Sequence, residues 1–382
     1  MVEVREFLLA TFLQKVFMKQ SLQITILVFL CIGICSPKIF CQTIVAASKG
    51  IQQKDDLFSG DEMLEITLSG NIKELMNDRS DNPKYHTIQL SYKAANGGDF
   101  LLRTLVKTRG HFRKLKENCA YPPLSIHFQK SDTLAASLFK KQTKMKLVMP
   151  CQGDEFVIKE CLAYKIYNLV TPKSFRARLV NIRMNDTKKN KISASFYGIL
   201  LEEELQMAKR NNTLPVSRKI QPYQTEAQNF LNMAVFQYLI GNTDWSVEYL
   251  QNIKLVATDS LTVPTAVPYD FDHSGLVSAP YAKPSELLEM NSVRERRYRG
   301  YCIKDMVNFA TSVSLFNGLK DDIYRLVNEY KLLDVKYKKS TLKYFDAFYE
   351  MINNPTRLQK EFSYPCDKKG TGNVVLKGLR ED

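Results

Sequence analysis

The chain has 382 residues, 45% hydrophobic and 25% charged, a composition that excludes wholesale disorder and leaves room for a sizeable core. Its net charge of +14 favours anionic partners such as phosphate esters, acidic polymers or a membrane surface. Lys and Arg are spread along the chain and no nucleic-acid motif appears. No internal repeat or low-complexity tract is present.

At the N-terminus, Ile24 to Ile34 is apolar except for Thr25 and follows Lys15 and Lys19, and Pro37 breaks any helix behind it. Charge, a short apolar run and a breaker, in that order, predict a signal peptide rather than a membrane span. Cleavage follows Cys41, giving a peptide over 1–41, or Ala47, where Val45 and Ala47 supply the small-residue pattern. Removal of 1–41 leaves a charge of +12. The expected location is outside the cytoplasm: periplasm, cell surface or medium. Five cysteines remain, Cys119, Cys151, Cys161, Cys302 and Cys366, with no CxxC and no zinc spacing. An exported chain then accommodates two disulfides and one thiol. Cys119 with Cys151 is the expected first pair, Cys302 with Cys366 the second, and Cys161 the buried thiol.

Residues 48–62 read as a loose polar leader. Alternation and β-formers predict strands at 64–68, 86–92, 100–106, 124–128 and 145–149, with a helical turn at 72–76 and a loop or short helix over 131–142. A helix is predicted over 155–169, stopped by Pro172, then strands at 178–184 and 193–201. The Asn-, Pro- and Lys/Arg-containing stretch 208–222 reads as a linker or exposed loop. Beyond it come a helix over 225–240 with Thr225 as N-cap and Gly241 as stop, two short strands (252–256, 265–268) and helices at 303–316, 319–330, 342–352 and 355–362. A strand-rich half followed by a helix-rich half predicts a two-lobed α+β protein. Its divisions are an N-terminal strand-containing extension over 48–99, an N-lobe over 100–207, a linker or loop over 208–224 and a helical C-lobe over 225–382.

The chemistry is concentrated in GNTDWSVEYLQNIKLV (241–256) and AVPYDFDHSG (266–275). Helix, Asp-bearing loop, Asn before a strand, then a second strand ending in Asp is the order of a phosphoryl-transfer site. Asp244 is the candidate catalytic acid, Asn252 and Asp270 candidate metal ligands and Asp272 a further one, with Mg²⁺ or Mn²⁺ suited to their oxygens. Gly275 gives the backbone freedom to leave the site. A strand lysine and a helix glutamate complete such a site: Lys146, with Lys144 as alternative, and Glu160. The bland reading of these Asp and Asn residues is turn and cap formation. Gly97-Gly98 is too short for a phosphate loop, and no Walker motif occurs.

KTRGHFRK (107–114), PPLSIHF (122–128), KLVMPC (146–151), KECLAYKIY (159–167), FYGILLEEE (196–204), GNTDWS and VPYDFDHSG stand in an order that resembles the spore coat protein H (CotH) kinase-like family. The chain is also similar to bacterial exported proteins with NTDWS and VPYDFD motifs. The resemblance spans about residues 100–305. It implies an atypical protein-kinase-like fold and an ATP-dependent phosphotransferase acting on a hydroxyl acceptor with Mg²⁺ or Mn²⁺. One departure is the spacing of eight between Asp244 and Asn252 where five is usual. Either three residues bulge out, or Gln251 or Asn242 is the ligand. The alternative function is a catalytically inactive binding or scaffold protein of the cell envelope. VRERRYRGYC (293–302) is either an acidic- or phospho-protein binding segment or a solvated basic surface, and peripheral envelope contact is a further expectation. The four His lack paired spacing, and Trp245 reads as packing that shapes its loop.

Overall fold

A computed structural model describes residues 57–60, 62–94 and 97–374. The predicted signal peptide and most of the predicted leader lie outside the described residues. The elements are β1 (Leu64–Gly70), α1 (Ile72–Asn77), β2 (His86–Lys93), β3 (Asp99–Thr108), β4 (Leu124–Phe128), α2 (Asp132–Ala136), β5 (Lys144–Val148), α3 (Glu155–Val170), β6 (Ala177–Asp186), β7 (Lys191–Ile192) and β8 (Phe196–Leu201). There follow α4 (Glu204–Arg210), β9 (Leu214–Val216), α5 (Ala227–Ile240), β10 (Ile253–Ala257), β11 (Thr265–Pro268), α6 (Ala310–Glu329), α7 (Val335–Ile352) and α8 (Pro355–Phe362).

The large sheet runs β1-β2-β3-β4-β5-β8-β6, and β6 returns to pair with β1. That last pairing is parallel, Leu64 opposite Val180 through Gly70 opposite Asp186, while the other neighbours are antiparallel. The result is a closed, seven-stranded mixed barrel with β7 as a short hairpin extension of β6. This corrects the expected two-lobed kinase-like fold with a strand-rich N-lobe and helix-rich C-lobe. Both strands assigned to an extension before the N-lobe, β1 and β2, are staves of the barrel, each hydrogen-bonded on both sides. The described residues form one compact unit, and the segment 208–224 lies within it.

Side-chain alternation divides the barrel's two faces. Met145, Leu147, Val180, Ile182 and Leu200 point into a barrel core. Val148, Leu179, Ile199 and Leu201, their neighbours along the same strands, join a second core with the helices. Against that outer face lies α3, which also packs on α5 and α6. Lys146, between Met145 and Leu147, therefore stands on the helix-facing side of the wall.

Several boundaries differ from the sequence reading. Leu57, expected in a loose leader, is fully buried in the barrel core, and Arg178 donates to its carbonyl at 2.7 Å. The expected linker contains the end of α4 and β9, which pairs with β10. Glu226, not Thr225, caps α5 by accepting from the Gln228 and Asn229 amides, while Gly241 ends it in the left-handed conformation as expected. Two predicted helices are one, α6, which runs through Gly318. A mid-helix Gly costs about 1 kcal/mol relative to Ala, less than the burial of Phe316 and Ile323 on either side contributes. Disulfides join Cys119 to Cys151 and Cys302 to Cys366, and Cys161 is buried outside both. Among the described residues, no helix is long and apolar enough to cross a membrane.

Candidate functional site

The loops after α5 and β11 meet the barrel wall at Lys146. Antiparallel β10 and β11 set this up: Ile253 pairs with Pro268, and the Tyr269 amide donates to Asn252 O at 3.0 Å. Asn252 and Asp270 are thereby brought side by side. Asp270 adopts a φ of +63°, a conformation disfavoured for a non-Gly residue. Its amide is held by donation to the buried Tyr164 hydroxyl at 2.8 Å. Lys146 Nζ then reaches Asp270 Oδ2 at 3.1 Å, across 124 residues of sequence.

The eight-residue spacing has a structural solution. Ser246 and Gln251 exchange two backbone hydrogen bonds of 3.0 Å, and Leu250 and Asn252 take φ of +52° and +51°. Residues 246–251 thus fold into a tight hairpin. Asn252 Nδ2 returns to Asp244 Oδ2 at 3.0 Å, and Gln251 donates to the other carboxylate oxygen. Asn242 accepts from the Asp244 amide at 3.1 Å and donates to Gln237, while Trp245 packs beneath and bonds Asn242 O. Asp244 is thus held by three side chains, those of Asn242, Gln251 and Asn252. Burial raises its carboxyl above the ordinary value; His273 opposes this, and Asp272 and Asp270 add to it. The mutual influence places Asp244, Asp270 and Asp272 in one electrostatic neighbourhood.

Glu160 does not pair with Lys146. Its partner is Arg113, which the sequence reading passed over as one of several cations in KTRGHFRK. Arg113 Nη1 lies 3.5 Å from Glu160, 3.4 Å from Asp272 and 3.9 Å from Asp270, and Nη2 donates to Met149 O at 2.8 Å. The guanidinium is buried, and one terminal nitrogen serves three carboxylates. Tyr281, also unforeseen, donates to Asp272 Oδ2 at 3.0 Å. Phe112 packs on His273 and Tyr281, fastening the Arg113 loop to the Asp272 loop. Nothing in the local sequence distinguishes Arg113 from its basic neighbours; only the fold brings Met149 and Asp272 to it.

The charges split accordingly. Burial pushes the Asp270 carboxyl up, but Lys146 and then Arg113 outweigh it and hold it at about 2. Burial pushes the Glu160 carboxyl up to about 8; Arg113 offsets part of this, and Asp270 and Asp272 reinforce it. Burial pulls Lys146 below its ordinary value despite Asp270. Asp270 keeps 26% of its side chain open to solvent, so the pair is reachable from outside.

Among the described residues, no group of three or more His, Cys, Asp or Glu is arranged to hold a metal. Asp272 is engaged by Arg113 and Tyr281, and the Asn252 amide nitrogen by Asp244. Asp270 Oδ1 differs: it is buried and has no hydrogen-bond partner. One such oxygen fits a Mg²⁺ or Mn²⁺ whose remaining ligands come from phosphate and water. Lys144 pairs in register with His127 at the far end of β5, leaving Lys146 as the lysine at the site. Gly275 is required for closeness rather than backbone freedom, since a Cβ there would collide with Val293 O. Of the basic run, Arg296 donates to Tyr238, Leu239 and Tyr344 carbonyls and Arg299 to Val374 O. Burial depresses Arg299 to about 10, partly offset by the Asp244 carboxylate. No protein-family model and no curated protein matches the chain.

Proposed function

We propose that the protein is an exported phosphotransferase that moves the terminal phosphoryl group of a nucleotide such as ATP to a hydroxyl acceptor. The observation that carries this reading is the Lys146–Asp270 pair beside an Asp244 carboxylate gripped by Gln251 and Asn252. In this reading Lys146 binds and orients the phosphate. Asp244, with its carboxyl raised by burial, accepts the acceptor's hydroxyl proton as that oxygen bonds to phosphorus and the bridging P–O bond to the donor breaks. Gln251 and Asn252 keep the receiving oxygen aimed. A Mg²⁺ or Mn²⁺ would be held by Asp270 and would neutralise charge on the transferred group. The CotH-like motifs support the reading through their loops, not through the barrel. The two disulfides support an oxidising, extracytoplasmic location.

A second reading, a binding or scaffold protein of the envelope, draws on one observation: Arg113 already matches Glu160 and Asp272, so part of the acidic cluster is internally satisfied. The deciding measurement is transfer of labelled terminal phosphate from ATP across a hydroxyl-acceptor panel, with Mg²⁺ and with Mn²⁺. Asp244→Asn should lower turnover about 10²–10⁴-fold with nucleotide binding retained. Asp270→Asn should abolish metal-dependent nucleotide binding. A folded wild type without turnover, and two variants that bind ATP as it does, would give the scaffold reading.

A further inference from the structure

On the outer barrel wall, Lys107 of β3, Ser125 of β4 and Lys146 of β5 are register neighbours in one row. Arg109 is two residues beyond Lys107, and its amide carries the ladder on by donating to Pro123 O at 2.9 Å. A period of two puts Arg109 on the same outer face. Its charge acts on both Lys146 and Asp270, so its guanidinium belongs to the same patch.

Three members of this patch have hydrogen-bond donors without acceptors. Lys146 is 13% exposed and its ammonium makes one hydrogen bond, to Asp270, leaving two N–H groups. Ser125 is 2% exposed, and its hydroxyl has no partner. Arg109 is half-buried and forms no ion pair or side-chain hydrogen bond among the described residues. Lys107 is turned away, its ammonium over the Tyr85 ring at 4.9 Å. Buried donors left unpaired are costly. Among the described residues no carboxylate bonds the Ser125 hydroxyl or the Arg109 guanidinium: Asp270 pairs with Lys146 through Oδ2, and Glu160 and Asp272 pair with Arg113. What remains on the wall itself is a cluster of unmatched donors on Arg109, Ser125 and Lys146, which suits a group that is anionic and has only acceptors. Phosphate is such a group.

We propose that Arg109, Ser125 and Lys146 form a phosphate-binding site on the outer wall of the barrel, and that it takes phosphate without a divalent cation. The proposal rests on the reading of Lys146 as the phosphate-side lysine, and it requires no turnover. The test is calorimetric titration of the disulfide-intact full chain in EDTA with inorganic phosphate and with tripolyphosphate, each against sodium chloride of equal ionic strength. Saturable binding is expected, weakened at least about tenfold in Arg109→Gln, one charge-assisted contact being worth about that much. Ser125→Ala should weaken it severalfold. Neither change removes a partnered group, so the ligand-free melting temperature should stay near that of wild type. Stronger binding of tripolyphosphate would mark a nucleotide-type donor as the source of the phosphate, and equal binding would mark free phosphate. Absence of binding without metal, or binding unchanged in Arg109→Gln, overturns the proposal even if phosphoryl transfer is found. Binding that depends on Arg109, in a protein with no transfer activity, retains the site and removes the phosphotransferase.

Discussion

Glu160 is 1% exposed and shares one guanidinium nitrogen with two other carboxylates. Its carboxyl rises from 4.5 to about 8, by burial first and then by Asp270 and Asp272 against the pull of Arg113. The folded state therefore binds a proton more readily than the unfolded one. Stability from this group is present below about pH 4.5 and is lost as pH rises through about 8, at no more than about 1.4 kcal/mol per pH unit. Asp244, also raised by burial, has the same sign. Glu160→Gln should thus flatten the decline of unfolding free energy between pH 5 and pH 8 without abolishing it, as chemical denaturation at three pH values in that span would show. Parallel curves for the two proteins would contradict the assignment. Arg113→Met tests the same cluster from the other side. It leaves three carboxylates without their common cation, and loss of one member of a buried ion pair costs about 3–5 kcal/mol. The sequence made Asp244, Asn252, Asp270 and Lys146 legible because each sits in a distinctive short motif. It concealed Arg113 and Ser125, whose roles come from which strands and loops face them. It also suggested Lys146 with Glu160, because order along the chain does not say which of two nearby cations a carboxylate will choose.

At the level of elements, the legible features were those written in local pattern. The strands at 124–128 and 265–268 and the helix at 355–362 coincide with β4, β11 and α8. Less legible was the basic run after the Asp272 loop, whose four arginines left a substrate-binding segment and a solvated surface equally open. Arg296 instead closes the C-terminus of α5, donating to Tyr238 O and Leu239 O, and ties it to α7 through Tyr344 O at 2.7 Å. It also lies 3.5 Å from the centre of the Tyr344 ring. The last carbonyls of a helix have no partner within it and carry its negative pole, so a guanidinium there serves both needs. Arg296→Met should cost about 1–3 kcal/mol by thermal or chemical unfolding, because it removes the donor to Leu239 O, while Tyr238 O keeps the Gly241 amide. A loss below about 0.5 kcal/mol, typical of a neutral surface change, would restore the solvated reading. The Cys119–Cys151 bridge acts on another element junction. It joins the segment after Arg113 to the end of β5, closing a loop of 32 residues in sequence separation. Chain entropy assigns such a loop about 3–4 kcal/mol. The Cys119→Ser/Cys151→Ser pair should lose that stability, and tripolyphosphate binding should weaken with it, since Arg109 and Lys146 lie on the two sides of the junction.

For the whole molecule, the decisive interaction is the one the sequence could not announce. Alternation shows that residues 64–68 form a strand, but the partner of a strand is a property of the closed sheet and has no local signature. β1 pairs with β2 on one side and, in parallel, with β6 more than a hundred residues later on the other. It contributes Leu64, Ile66 and Leu68 to the barrel core, each almost fully buried. Without β1 the sheet would expose two long edges and the interior that β1 covers. The outer face of the same wall holds Lys146 and the second core, so an opened barrel would disturb both. A chain lacking residues 1–70 should then fail as a unit: no cooperative melting transition, lost protection of β6 and β8 amides from hydrogen exchange, and no Lys146–Asp270 site. An independent extension would leave the remainder folded, and its removal would leave the melting temperature near that of the full chain. To separate lost closure from simple loss of apolar burial, Ile66→Ala in the full chain gives the reference, at about 2–5 kcal/mol for a large-to-small change in a core. If the truncated chain melts cooperatively with no more loss than Ile66→Ala produces, barrel closure is not what holds this protein together.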